Sequence, residues 1–363
     1  MSTSGPSVRE VLLDRLEADS MPGERTDGHR VILAIEGGGM RGAISSGMLL
    51  ALEQLGLRNS IDEVVGTSAG AIAGAFFVTS RGTAGSVLYY TVLNSERFVS
   101  RRRLLGGDGA VMDLDYLLDE ALPAHGFDWE ELVSCDIPLW ATVTPADEGD
   151  PSRLYRVGRT VDHAREVMAA TAALPVLAGA SRFIGSKPYV DGGMTEAVPW
   201  ATAVRRNATH VLVIRSRGFN VDGKLEPHNI LERSAARRVV RRVHGPVVTE
   251  YVRRSNQRFW SSTESLRSVA DGLATPLASG GRSVEVDVVV PAPETDLPDR
   301  LEVDTHVLMD ALTAGAQAML DYIDLEGFAV EQRVVVTHPR APIGKVRTNS
   351  LRPIVLDRRN APR

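Results

Sequence analysis

A short apolar run followed at once by glycines is the feature that most constrains how this chain can fold. Val31–Ile35 is apolar throughout and has the length of a strand. Gly37–Gly42 follows after the single residue Glu36 and contains four glycines in six positions. A helical pattern follows, with Ile44 and Met48 on its apolar face. A strand, a glycine turn and a helix make up the first half of a βαβ unit.

The same order of elements recurs immediately downstream. Ile61–Val65 is predicted as a strand, Gly66–Gly70 as a tight turn, and Ala71–Val78 as a buried helix because it has no polar face. Further strands are predicted at 137–144, 181–184, 189–190, 211–214 and 284–290, and helices at 113–121, 163–172 and 305–323. Strands that alternate with helices indicate an α/β fold. We predict three α/β/α layers around a central, mostly parallel sheet.

Charge and proline content divide the chain into three parts. Residues 1–28 are interpreted as a peripheral segment in which 8–18 forms a short amphipathic helix. Residues 29–330 are predicted to form the folded domain. Residues 331–363 are basic and contain four prolines, which is typical of an extended, weakly ordered tail.

Composition excludes several classes of protein. The formal net charge of −5 argues against a general nucleic-acid binder, and the lone Cys135 excludes an intrachain disulfide or a cysteine-rich zinc site. No clustered ligand spacing predicts a metal. The N-terminus lacks an apolar signal-peptide core, and the longest uncharged run, Val64–Ser80, is too polar to span a bilayer. We therefore expect a soluble, cytoplasmic protein.

The sharpest chemical signal is the turn Gly66–Gly70, which reads G-x-S-x-G between a predicted strand and a predicted helix. A nucleophile at such a turn has a strained backbone, and Gly66 and Gly70 avoid clashes on either side of it. The turn lifts the hydroxyl of Ser68 above the carboxyl end of the strand, where the following helix N-terminus stabilises negative charge. An incidental serine in an ordinary turn is the competing interpretation.

The glycine-rich segment Gly37–Gly42 has two interpretations. Its successive backbone N–H groups could cradle an anion, as an oxyanion hole requires. The same residues also satisfy G-x-G-x-x-G, the dinucleotide-binding fingerprint, with Asp62 or Glu63 as the ribose-binding acid. That acid is expected to close the second strand, whereas both acids here precede Val64. A nucleotide-binding oxidoreductase therefore stays as an alternative.

A third signal is Asp191-Gly192-Gly193, which follows a predicted hairpin. A carboxylate just beyond a strand, with glycine beside it, can be approached closely by another group. Taken alone, Asp-Gly is an ordinary turn dipeptide.

Together the three segments resemble the patatin-like phospholipase family, which carries a GGGxRG loop, a GxSxG elbow and a DGG or DGA aspartate in this chain order. The alanine-rich stretch Ala169–Pro175 is similar to the family as well. The resemblance extends over about residues 30–325. The family usually has aspartate before the glycines where this chain has Glu36; because the loop donors are backbone groups, we expect this exchange to be tolerated.

The resemblance implies a serine acyl hydrolase that cleaves ester bonds of phospholipids or other lipids with a Ser-Asp dyad and no cofactor. Ser68 would be the nucleophile and Asp191 the general base. The amides of Gly38 and Gly39, with Gly37 or Met40, would form the oxyanion hole. Arg41, Gly66, Gly70 and Gly192 would support these groups. An esterase for soluble esters and a catalytically silent binding protein stay as alternatives, as does a conventional triad that uses His210 or His306.

The arginine-rich stretch 232–258 suggests a partner. Arg237, Arg238, Arg241 and Arg242 are spaced with valines in a way that suits a basic amphipathic helix. Such a helix could contact an anionic membrane surface, although arginines on an ordinary solvated helix explain the same pattern. The sequence does not predict an oligomeric state.

Overall fold

A computed structural model of the protein describes residues 5–103, 110–147, 152–219, 234–324, 328–331 and 355–358. Its strands are β1 (Val31–Ile35), β2 (Glu63–Thr67), β3 (Leu139–Pro145), β4 (Arg153–Val157), β5 (Arg182–Ile184), β6 (Lys187–Asp191), β7 (His210–Ile214) and β8 (Glu285–Val289). They form one sheet in the order β5-β6-β3-β2-β1-β7-β8, with β4 also paired to β3. Five neighbouring strands are parallel to one another, namely β3, β2, β1, β7 and β8. Strands β4, β5 and β6 add antiparallel pairs at the β3 side of the sheet. The predicted, mostly parallel sheet is thus confirmed.

The principal helices are α1 (Val8–Glu17), α2 (Gly42–Gln54), α3 (Ala69–Val78), α4 (Gly82–Thr91), α5 (Trp129–Val133), α6 (Val161–Thr171), α7 (Trp200–Arg205), α8 (Ser234–Ala270) and α9 (Thr305–Ile323). The helix predicted at 113–121 is a π-helical turn over Tyr116–Ala121. Helix α8 is broken at Gly245, whose φ is +79°. Pro246 follows and has no N–H to continue the helical hydrogen bonding.

The alternating side chains of β1 show why the fold has three layers. Val31, Leu33 and Ile35 point into a core with helices α2, α3 and α9. Ile32 and Ala34 point to the other face and pack against α7 and α8. Because both faces are covered, β1 is apolar at every position, as central parallel strands usually are.

Helix α1 belongs to the segment expected to be peripheral, and it buries Val8, Val11 and Leu12 in the main core. At the other end, β9 (Phe328–Glu331) pairs antiparallel with β10 (Val355–Arg358). The rest of the predicted tail lies outside the described residues. The domain limits at residues 28 and 330 therefore stay predictions. Within the described residues, every helix is too short or too polar to cross a lipid bilayer.

Candidate active site

Ser68 lies on the turn that joins β2 to α3, and its backbone is strained. Its φ is +54° and its ψ is −126°, a conformation that residues with a side chain rarely adopt. Gly66 and Gly70 permit this turn because a Cβ at Gly66 would lie 2.5 Å from Cα of Ala71, and one at Gly70 would lie 2.5 Å from the carbonyl oxygen of Ile35. The local geometry is that of a nucleophile elbow.

A buried threonine holds this elbow in place. The amide of Ser68 donates a hydrogen bond of 2.9 Å to the hydroxyl of Thr171, which in turn donates one of 2.7 Å to the carbonyl of Thr142. Thr171 is the last residue of α6 and is fully buried. Sequence reasoning missed this contact, although Thr171 belongs to the alanine-rich stretch already singled out.

Asp191 ends strand β6 and lies beside Ser68. Its carboxylate accepts a hydrogen bond of 2.6 Å from the amide of Gly193, and Ser68 lies beside it. Burial raises the pKa of Asp191 to about 6, although the Ser68 side chain, the Gly193 amide and the charge of Arg300 act in the opposite direction. Gly192 is required at this turn because a side chain there would collide with Thr142.

The glycine loop lies next to both side chains. The amide of Gly37 donates to the carbonyl of Ala197 at 3.0 Å, and that of Met40 donates to the carbonyl of Arg300 at 3.2 Å. For the amides of Gly38 and Gly39, no acceptor is found among the described residues. Both glycines line the cavity that Ser68 and Asp191 also line.

A buried charge cluster lies beneath this loop. Glu36 is fully buried and accepts hydrogen bonds from the amide of Ser216 at 2.8 Å and from Nε of Arg217 at 3.0 Å. Burial raises the pKa of Glu36, but the charges of Arg217, Arg215 and Arg41 outweigh burial and hold the pKa below its usual range. Arg41 is buried in this cluster and is not an exposed turn arginine. The cluster ties the end of β1, where the loop starts, to the segment that follows β7.

Ser68 lies between two cavities of different character. The larger has an empty volume of about 660 Å³, including its open mouth. Its walls are mainly apolar and include Ile72, Ala73, Phe76, Leu88, Leu93, Phe98, Met112, Leu114, Leu117 and Leu122. The smaller is lined by Gly38, Gly39, Asp191, Phe259 and Arg300. A substrate with one long apolar part and one polar part fits this arrangement.

The histidines considered for a triad lie elsewhere. Nε2 of His210 is 2.9 Å from the carbonyl oxygen of Pro6, and His210 starts β7, at the edge of the sheet opposite Ser68. His306 is in the first turn of α9. Among the described residues, no histidine lines either cavity.

The acids that a dinucleotide would need also lie at the opposite end of the strands from the glycine loop. Asp62 forms ion pairs with Arg15 and Arg25, and Glu63 pairs with Arg30 and Arg206. Both acids lie where β2 begins, whereas the glycine loop follows the end of β1. Because these strands are parallel, the two features are at opposite edges of the sheet.

An α/β sheet with a serine at a strand-to-helix elbow is an architecture that occurs among acyl hydrolases. Residues 33–204 match the family model described as patatin-like phospholipase, which supports the resemblance to that family. Over 191 residues the chain is 28% identical to a protein of Escherichia coli (strain K12) described as uncharacterized protein YjjU. That match spans 52% of each chain, so the protein covers about half the length of this curated relative. The solved structure of VipD from Legionella pneumophila aligns over 85% of this chain and 72% of its own, with 13% identity and a TM-score of 0.41.

Proposed function

We propose that this protein hydrolyses carboxylic esters of lipids, with Ser68 as the nucleophile and Asp191 as the general base. The observation that carries the proposal is that Ser68 and the buried carboxylate of Asp191 line the same cavity, with the Ser68 side chain near enough to lower the pKa of Asp191. A carboxylate with a pKa of about 6 is ionised at neutral pH, yet basic enough to accept the serine proton.

The reaction would proceed in two halves. Oγ of Ser68 attacks the ester carbonyl carbon while Asp191 takes the hydroxyl proton, and the amides of Gly38 and Gly39 hold the tetrahedral oxyanion. The C–O bond to the leaving alcohol then breaks, and Asp191 returns the proton to that alcohol. Water, deprotonated by Asp191, next attacks the acyl-serine. The bond between the carbonyl carbon and Oγ of Ser68 then breaks, the fatty acid leaves, and Asp191 returns the proton to Oγ.

The four supporting residues would keep this geometry fixed. Gly66 and Gly70 allow the close turn at the nucleophile, and Gly192 allows β6 to approach β3. Arg41 supplies positive charge beneath the glycine loop. The amides of Gly37 and Met40 already have carbonyl partners, so their role would be to shape the loop rather than to donate to substrate.

The apolar cavity supports a lipid substrate. It opens at Ser68, and a fatty acyl chain placed there would bring its carbonyl carbon to the serine. Burial of each methylene of such a chain contributes about 0.8 kcal/mol. A soluble, short-chain ester would leave most of this surface unused.

The first part of α8 is the candidate for contact with an anionic membrane. Arg238, Arg241 and Arg242 are exposed, as are Val239 (50%) and Val243 (55%). No acidic residue occurs between 234 and 249. Exposed valines among exposed positive charges are the combination that adsorbs to anionic lipid headgroups.

The dyad is tested by a fluorophosphonate probe followed by mapping of the labelled residue. We expect labelling at Ser68, and we expect Ser68→Ala and Asp191→Asn each to abolish hydrolysis of p-nitrophenyl butyrate. His210→Gln and His306→Gln serve as controls and should retain activity. A histidine variant as inactive as Ser68→Ala would favour a triad, and an unlabelled wild type would favour a silent binding protein.

The substrate class and the membrane contact need separate measurements. Long-chain lipid esters in vesicles should be hydrolysed faster than soluble short-chain esters; the reverse would favour the soluble-ester alternative. A thermal shift with NAD would instead support the nucleotide alternative.

Arg241→Gln/Arg242→Gln should weaken binding to anionic vesicles roughly 30-fold, at about 1 kcal/mol for each arginine. Arg253→Gln/Arg254→Gln, whose arginines pair with Glu250 further along the same helix, is the matched control.

A further inference from the structure

Arg300 enters the candidate site from a part of the chain outside residues 33–204. It lies in the loop between β8 and α9, is half-buried, and lines the smaller cavity with Ser68 and Asp191. Its carbonyl oxygen accepts the Met40 amide hydrogen bond. Its guanidinium lies near enough to Asp191 to favour the ionised form of that carboxylate. One residue thus contacts the glycine loop through its backbone, lines the smaller cavity and acts electrostatically on Asp191.

The two cavities indicate what Arg300 faces. In the proposed reaction, the acyl chain occupies the apolar cavity, so the leaving alcohol occupies the smaller one. Besides Arg300, the polar side chains described in this smaller cavity are those of Ser68 and Asp191. Its other side chains are apolar and include Leu174, Met194 and Phe259. Arg300 is therefore the cationic group on the leaving-group side of the described site.

We propose that Arg300 binds a phosphate carried by the leaving alcohol and so selects phosphate-bearing esters. This inference rests on the proposed function. A guanidinium presents five N–H donors in a planar fork that matches phosphate oxygens, and such charge-assisted hydrogen bonds are among the strongest in proteins. The phosphate belongs either to a lipid headgroup or to a soluble phosphate ester, since both present the same chemistry to the arginine.

The experiment compares two oleoyl esters that differ in the phosphate. One is 1-oleoyl-glycerol 3-phosphate and the other is 1-oleoylglycerol, presented in the same neutral detergent micelles. The wild type should favour the phosphate ester at least tenfold in kcat/KM. Arg300→Gln should remove this preference, mainly through KM, because kcat/KM falls at least tenfold more for the phosphate ester than for the neutral ester. Arg300→Lys should restore only part of the preference, because an ammonium lacks the fork.

A matched control and a third substrate complete the test. Arg101→Gln removes a more exposed arginine, paired with Asp299 beside Arg300, and should leave the preference unchanged. 1-Butyryl-glycerol 3-phosphate, which is soluble, distinguishes the two sources. Preference for phosphate on both chain lengths assigns the recognition to the phosphate itself, and preference on the oleoyl ester alone assigns it to a lipid headgroup.

Three results would overturn this inference. One is a wild type that does not distinguish phosphate from neutral esters. Another is an equal loss of kcat/KM on both esters in Arg300→Gln. A third is a shift of the acidic limb of the pH profile in Arg300→Gln with no change in the preference for phosphate. Either of these last two results would show that Arg300 acts on Asp191 alone. Failure of the proposed function looks different, because the wild type would then hydrolyse neither ester faster than Ser68→Ala.

Discussion

Oδ1 of Asp191 accepts a hydrogen bond of 2.6 Å from the amide of Gly193, two residues further along the chain. A catalytic carboxylate in a Ser-Asp dyad must be oriented without a histidine between it and the serine. Here the backbone beyond β6 provides that orientation. The carboxylate is also buried, and its ionisation therefore governs both the activity and the stability that we expect.

The pH dependence of the reaction should follow Asp191. The base acts as the carboxylate, and its pKa is raised to about 6. We expect kcat/KM to fall below pH 6 by about tenfold for each pH unit and to be level from pH 7 to 8. The measurement is a pH profile with a soluble ester. An acidic limb that disappears in a histidine variant would argue against Asp191 as the base.

Asp191→Asn should inactivate the enzyme and yet stabilise the fold at neutral pH. The folded pKa lies above the unfolded value of 3.8, so ionisation costs folding stability as pH rises from about 4 to about 6. This cost amounts to about 3 kcal/mol above pH 6. Urea unfolding of Asp191→Asn and of the wild type should show that the variant has the higher unfolding free energy at pH 8 and little or no advantage at pH 4. A variant less stable than wild type at both pH values would contradict the prediction.

Thr171→Val should disturb the elbow. The variant keeps the shape of the side chain but removes the acceptor for the Ser68 amide. A buried N–H without a partner costs about 1–3 kcal/mol, and we expect a similar loss of unfolding free energy together with a lower kcat. Thr171→Ser keeps the hydroxyl and is the matched control. Equal behaviour of the two variants would show that this hydrogen bond does not matter.

Glu36→Gln should destabilise the protein strongly. It leaves Arg215 and Arg217 buried without the negative charge that compensates them. Breaking such a buried pair typically costs 3–5 kcal/mol, read as a lower urea midpoint at pH 7. Glu250→Gln removes an exposed carboxylate that pairs with two arginines and should leave the midpoint unchanged. Similar effects of the two variants would refute a special role for the buried cluster.

Ala73→Leu should change the preference for acyl-chain length. Ala73 lines the apolar cavity, and a larger side chain shortens the space available to an acyl chain. We expect kcat/KM for a palmitoyl ester to fall about tenfold, while that for a butyryl ester stays near wild type. A uniform loss on both esters would indicate damage to the fold instead.

Local patterns carried much of the sequence prediction. Val31–Ile35 and Thr305–Ile323 match their predicted limits, because an apolar run or an amphipathic period is readable without knowing its neighbours. Strand β4 and helix α4 were missed. β4 pairs along β3 with partly polar, half-exposed residues, and α4 contains two glycines that weaken a helical pattern.

Long-range contacts account for what the sequence could not predict at the site. Glu36 meets Ser216 and Arg217 only because β7 pairs with β1, and nothing near Glu36 in the chain indicates this. Thr171 and Arg300 likewise reach the elbow and the glycine loop from distant elements. The motifs indicated the candidate reacting groups, whereas the residues that contact those groups depend on the order of strands in the sheet.

Helix α8 gives the protein one further property. Phe259, beyond the break at Gly245, forms part of the wall of the smaller cavity, while Val239 and Val243 precede that break and face outward. The proposed adsorption to a surface and the shape of the smaller cavity would thus depend on a single stretch of polypeptide. Amino-acid replacements that tune one of these traits are expected to alter the other, so the two should diversify together among relatives.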